Sequence, residues 1–374
     1  MKFTRCLAIM IAATAPQVVL SQGELNPTNA PSAGMRTLHQ LEPRTPLSQQ
    51  TGAASITISQ SGSYYLTEDL IFMNNGIVIS ADNVTVDLNG FTIELENFAN
   101  TGTAIDIQTG VNNVTVRNGH ISKGSFLGFS FVNGIRADSD ATSIRVTNVS
   151  VLSCANNGID LPKDGATFVR NCEVSTCLGT GITAELVGSC TVANVLGRAI
   201  DATIVRDCKT SGFGGIRTVL AAHCESEVTG GATAHESELA YECRGVATNG
   251  SGIVTKLASN CVAESTGSNP ALTAELVYAS SGSAANSIGI DAEYGVHESR
   301  GTCNGSSGIG IKGQNVTHCT ASNGPAGGTG IDADKAVGFS RGDGGITAEI
   351  AVGCTQPSGS SLTVTQSFLN FVAP

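Results

Sequence analysis

From Gly134 to the C-terminus this chain repeats one short phrase, Gly-Ile-x-Ala or a near variant, with a Cys in most copies about nine residues after the Gly. Gly181-Ile182-Thr183-Ala184 with Cys190, Ala199-Ile200-Asp201-Ala202 with Cys208 and Gly345-Ile346-Thr347-Ala348 with Cys354 are examples, and the phrase recurs every 15 to 24 residues. A unit that short cannot enclose a core of its own. Copies stacked on one another can, so the chain is expected to wind as a solenoid of coils. Its 374 residues would otherwise suggest two or three domains, but a solenoid lengthens without starting a new core.

The earlier part of the chain carries short β-branched runs, Ile77-Val78-Ile79, Val84-Thr85-Val86, Phe91-Thr92-Ile93 and Ile105-Asp106-Ile107, punctuated by Gly, Asn or Asp. Asn89-Gly90 and Asn118-Gly119 follow such runs and tolerate the positive φ of a sharp corner. Within the later phrase, alternation along a strand sorts inside from outside. The inner stack is expected to be Ile135, Ile159, Ile182, Ile200, Ile216, Ile253, Ile290, Ile311, Ile331 and Ile346. Its neighbour is mostly Ala: Ala137, Ala184, Ala202, Ala234, Ala274, Ala292, Ala333 and Ala348. A cysteine ladder (Cys172, Cys190, Cys208, Cys224, Cys243, Cys261, Cys319, Cys354) makes a third inner column, expected to break at Ser280, Glu298 and Phe339. Equivalent positions on successive coils lie ~4.8 Å apart, whereas a disulfide brings Cβ atoms to about 3.8 Å. Buried free thiols are therefore favoured, with disulfides between some coils and a zinc site as alternatives. No Cys-x-x-Cys pair supports zinc.

Composition narrows the function. A net charge of −11 excludes the basic footprint of a nucleic-acid binder. Lys2 and Arg5, the apolar run Leu7 to Ala15 and Val19-Leu20-Ser21 make residues 1–21 a signal peptide. No other stretch is apolar enough over ~18 residues to span a membrane. The expected organisation is a signal peptide over 1–21, a proline-bearing lead-in over 22–50, the solenoid over 51–360 and a C-terminal cap over 361–374, and the protein is expected to be secreted or held at the cell surface.

Three stretches carry a family resemblance: Glu42-Pro43-Arg44-Thr45-Pro46, Ser61-Gly62-Ser63-Tyr64-Tyr65-Leu66 and Asp82-Asn83-Val84-Thr85-Val86-Asp87-Leu88-Asn89-Gly90. With the coils, they resemble exported bacterial members of the pectin-lyase-like superfamily of unassigned activity. The resemblance implies an all-β, right-handed parallel β-helix with a ligand groove along the outer side of one sheet. The first outward column of the Gly-Ile-x-Ala strand then supplies the candidate substrate-binding residues Asp106, Arg136, Asp160, Asp201 and Arg217, with Thr233 expected as the next outward position. The second outward column is acidic, with His235 and Lys256 interspersed. There Glu293 joins Asp291, and Asp334 joins Asp332, as carboxylate patches flanking Lys312. In lyases of the superfamily, bound Ca²⁺ and a nearby Arg or Lys assist removal of the proton α to a uronate carboxylate. The resemblance would make Lys312 the catalytic base and Asp291, Glu293, Asp332 and Asp334 ligands of Ca²⁺, the one cofactor suggested. Solvent-relieved repulsion explains the same carboxylates more simply, and the polygalacturonase motifs are absent. Zero Trp and five Tyr weaken a ring-stacking sugar platform. The leading expectation is contact with an extracellular polysaccharide, as a polysaccharide lyase if the chain is an enzyme. The alternative is a non-catalytic structural or adhesive surface protein.

Overall fold

The computed structural model describes residues 43–97, 99–123, 130–323, 328–368 and 371–373. The expected signal peptide and most of the lead-in lie outside them. The chain is all-β, a parallel β-helix of about 16 turns. Among the described residues no helix is long and apolar enough to cross a membrane. Each coil contributes strands to three parallel sheets. The first runs from Ile56–Ile58 through Ile77–Ile79, Thr101–Ile107 and Phe131–Ala137 to Ile346–Val352 and Leu362–Phe368. The second starts at Thr45–Leu47, which pairs with Gly62–Leu66. The third starts at Leu70–Phe72 and Thr92–Leu95.

The three stretches that carry the resemblance meet at the start of this stack. Thr45 pairs with Tyr64, and Tyr65 pairs with Asp87. The Arg44 guanidinium lies 4.5 Å from the centre of the Tyr65 ring and 3.9 Å from Asp87, whose largely buried carboxylate also takes Arg117 at 3.1 Å and the Asn89 backbone N–H at 3.0 Å. Charge pairing at a partly desolvated carboxylate thus fastens residues 44–47 to the first coils.

The core is built from columns. Ile135, Ile159, Ile182, Ile200 and Ile216 stand in register, all at most 1% exposed. Each such side chain taken from water contributes about 1.5–3 kcal/mol. The next member corrects the sequence expectation: Ile216 pairs with His235, not with residue 232, so Glu236 rather than Thr233 faces outward beside Arg217. Ala234 accordingly leaves the alanine stack and packs in a small separate cluster with Val228 and Ala247. His235, expected outside, is completely buried.

All eleven described cysteines are buried. In the ladder each thiol donates to the carbonyl two residues back, as Cys208 does to Arg206 at 3.1 Å, and Cys190 and Cys208 also accept from the N–H of the cysteine one coil earlier, Cys208 from Cys190 at 3.5 Å. The hydrogen bond to Cys190, then burial, pushes the Cys208 thiol far up, and the hydrogen bond to Cys224 raises Cys243 to about 12. Burial and the raised pKa make Cys208 and Cys243 poor nucleophiles, whereas the hydrogen bond to Cys190 shifts the Cys172 thiol down. The ladder does not break at Glu298 and Phe339. Ser280, Ser299 and Ser340 stand in it, accepting from the N–H of Cys261, Ser280 and Cys319. The cause is a one-residue irregularity in the strands Ile288–His297 and Thr329–Gly338, which moves the ladder position one residue on. The residue before each ladder position turns the corner with positive φ, and Asn118, Asn148 and Asn171 link there through side-chain amides at 3.1 and 3.3 Å.

Candidate functional site on the first sheet

Because the Ile column points inward, the residue after each Ile points outward, and pairing places Asp106, Arg136, Asp160, Thr183, Asp201, Arg217 and Glu236 on successive coils. Five of these were the expected substrate-binding residues, and the fold brings them into one strip. Arg136 is its hinge. Its guanidinium reaches Asp138 at 2.6 Å and Asp106 at 3.8 Å. Gln108 donates to the other Asp106 oxygen at 2.7 Å, and Thr109 donates to Asp138 at 2.7 Å. Asp160 accepts from Asn157 at 2.9 Å. Arg136, Asp138, Asp140, Asp160, Lys163 and Asp164 line a cleft of about 810 Å³.

Asp106 departs from the pattern. It is 9% exposed, and its Oδ1 has no hydrogen-bond partner. Burial raises its pKa above the ordinary carboxylate value, Arg136 offsets part of the rise, and Asp138 adds to it.

A second cleft, of about 430 Å³, adjoins the first. It is lined by Asp201, Arg217, Glu236 and Glu238, with Lys163 shared between the two. Lys163 pairs with Asp201 at 2.6 Å, and Arg198 with Glu236 at 3.0 Å. Sequence reasoning missed Lys163, which lies outside the repeating phrase in Leu161-Pro162-Lys163-Asp164-Gly165. That polar segment between two coils was the available signal. It missed Glu236 through the register slip.

Lys312 stands in a third cleft of about 470 Å³ with Glu275, Asp291, Glu293, Gln314 and Asp334. Asp291 and Asp332 flank it on the coils before and after. Three of the four expected calcium ligands, Asp291, Glu293 and Asp334, line this cleft, and among the described residues no group of three His, Cys, Asp or Glu side chains is placed to hold a metal ion. The intervening Lys312 coil separates Asp291 from Asp332 by two coil steps, about 9–10 Å between backbones.

No family model matches the sequence, and no curated protein matches it. Among solved structures, the A-module of a mannuronan C-5 epimerase from Azotobacter vinelandii aligns at a TM-score of 0.36 and 10% identity, over 84% of this chain and 91% of that one. The catalytic domain of a family GH87 α-1,3-glucanase in complex with tetrasaccharides aligns at 0.36 and 10% identity, and the alignment spans 88% of this chain and 63% of the glucanase.

Proposed function

We propose that this chain is exported and holds an extracellular polysaccharide along the outer face of its first sheet. The observation that carries this is the strip Asp106–Arg136–Asp160–Thr183–Asp201–Arg217, which alternates donors and acceptors at one coil per step and of which Arg136, Asp160, Asp201 and Arg217 line two adjoining clefts that share Lys163. A ligand with hydroxyl groups repeating along its length meets such a strip with several hydrogen bonds at once, and bonds to charged partners contribute about 1.5–3 kcal/mol each. The charge balance favours a neutral glycan, or one whose carboxylates arrive with divalent counterions. The lyase reading places the base at Lys312. Its cleft sets Glu275, Asp291, Glu293 and Asp334 around that one cation, so a bare uronate would enter net negative surroundings.

The test is equilibrium binding of purified protein to a panel of neutral and acidic polysaccharides, with Ca²⁺ or EDTA, beside an absorbance assay for unsaturated uronates and a reducing-end assay. Binding to neutral glycans that Arg136→Ala weakens about tenfold or more is expected. A calcium-dependent rise in unsaturated product that Lys312→Ala abolishes would instead establish the lyase. No binding or turnover across the panel would overturn the polysaccharide reading and leave the structural or adhesive one.

A further inference from the structure

Two histidines meet at one corner of the later coils. The turn from the second sheet to the third places Glu298, His318 and Phe339, each with positive φ, on three successive coils. His297, the residue before Glu298, pairs with Thr317 on the next coil. The centres of the His297 and His318 rings are 5.3 Å apart. Neighbouring groups hold both rings. Tyr278 meets His297 edge-on at 5.9 Å, and His297 Nδ1 lies 2.7 Å from Thr317 Oγ1. His318 stacks on Phe339 at 5.6 Å, with 17° between the ring planes. His297 lines a cleft of about 380 Å³, and His318 is exposed. Among the described residues, neither ring nitrogen of His318 has a hydrogen-bond partner.

We propose that His297 and His318 together bind a divalent transition-metal ion of the copper, nickel or zinc class. Imidazole nitrogen suits these ions, whereas calcium takes oxygen ligands. Two observations point to such an ion. The first is spacing. Two imidazoles that share one ion through metal–nitrogen bonds of about 2.0–2.1 Å have ring centres about 4.5–5.5 Å apart, and the 5.3 Å separation falls in that range. The second is the preparation of the ligands. When His297 Nδ1–H donates to Thr317, the Nε2 lone pair is left open. An outer hydrogen bond of this kind fixes the tautomer and orientation of a metal-binding imidazole. The Glu298 carboxylate lies 3.4 Å from that Nε2 and adds negative charge beside it. Glu298 acts here through its charge, so the site has two protein ligands and water takes the remaining positions. His223 is the contrast. Its Nδ1 faces Asp207 at 3.4 Å, its Nε2 faces Glu242 at 3.1 Å, and its ring neighbour is Tyr241 rather than a second imidazole.

This inference does not depend on the glycan reading, because Arg136 and Lys163 lie on a different face. Calorimetric titration of the untagged full chain with Cu²⁺, Ni²⁺ and Zn²⁺ tests it, with electron paramagnetic resonance of the Cu²⁺ complex to count coordinated nitrogens. One saturable site per chain is expected, tightest for Cu²⁺, with two nitrogens in the spectrum. Thr317→Val removes only the outer hydrogen bond and should weaken binding about 10–100-fold while keeping both nitrogens. His297→Gln or His318→Asn should weaken it by at least as much and leave one nitrogen. Asparagine suits the positive φ at His318, so the far-ultraviolet spectrum should be unchanged. His223→Gln and Arg136→Ala should bind as wild type does. Absence of saturable Cu²⁺ binding overturns the proposal. So does binding that survives in the chain carrying both His297→Gln and His318→Asn, which would place the ion on a thiol or at His223.

Discussion

Replacing His235 by Ile should remove a specific part of the acid sensitivity of this solenoid. His235 occupies a position of the isoleucine column, paired with Ile216 before it and Ile253 after it. Its Nε2 lies 2.9 Å from the Arg244 carbonyl, so that nitrogen carries the proton, and Nδ1 is buried with no partner. Protonating Nδ1 would place an unpaired charge in the core, so burial depresses the pKa from 6.5 to about 4. The folded-state value lies below the unfolded one, so between those two pH values the unfolded chain binds more protons. Stability from this group is complete above pH 6.5 and falls as the pH drops toward 4, by up to about 1.4 kcal/mol per pH unit and about 3 kcal/mol in all. Carboxylates titrate near the lower end of that window in both proteins, so the quantity to read is the difference between His235→Ile and wild type. Denaturant unfolding in parallel at pH 7, 6, 5 and 4.5 should show the variant gaining steadily on wild type as the pH falls. The change at pH 7 is the smaller signal, because losing the unpartnered Nδ1 is offset by the Arg244 carbonyl losing its donor. Profiles that keep a constant separation across the window would refute the burial argument.

Three further outcomes are expected. Native protein should label very slowly with a thiol reagent and far faster once unfolded, because all eleven described cysteines are buried; prompt labelling of several native thiols would contradict this. Gly214→Ala should lower the unfolding free energy by more than about 2 kcal/mol, since a Cβ there would run into the carbonyl of Gly197 on the neighbouring coil; a glycine-to-alanine change at Gly231, where nothing lies within 4 Å, is the control. Asp106→Asn should raise stability at neutral pH. The Asp106 pKa is raised in the folded state, so its ionised form is the disfavoured one, and the advantage of Asn should shrink as the pH falls through that raised value. A gain independent of pH would count against it.

How much was legible from sequence divides along a physical line. Inward positions are legible because each must be apolar and small on every coil. A phrase constrained coil after coil shows itself as the Ile column, the Ala stack and the cysteine ladder. What failed were offsets. Counting nine residues from Gly289 and Gly330 lands on Glu298 and Phe339, one short of the true ladder positions Ser299 and Ser340, because an irregularity in each strand inserts a residue. Composition cannot reveal that insertion, since hydrogen-bond geometry decides it. The slip at Thr233 has another origin. Gly-Ala-Thr-Ala imitates the phrase, and a histidine inside an isoleucine column is not an expectation that hydrophobicity supplies. Its place is set by the Arg244 carbonyl, which offers Nε2 a partner. The outer faces were least legible, because outward residues answer to partners rather than to the core. Alternating charge along Asp106–Arg136–Asp160 reads equally as a balanced surface or a binding strip, and Lys163, which lines both clefts beside it, comes from outside the repeat. The outward column Leu186, Ile204, Leu220, Leu239, Leu257 and Leu276 on the second sheet left its own trace, a second set of aliphatic residues four positions after the inward Ile182, Ile200, Ile216, His235, Ile253 and Leu272. Strict alternation from the Ile would place both sets inside. The turn between the first and second sheets reverses the sense of the alternation, and the same aliphatic side chains emerge on the surface.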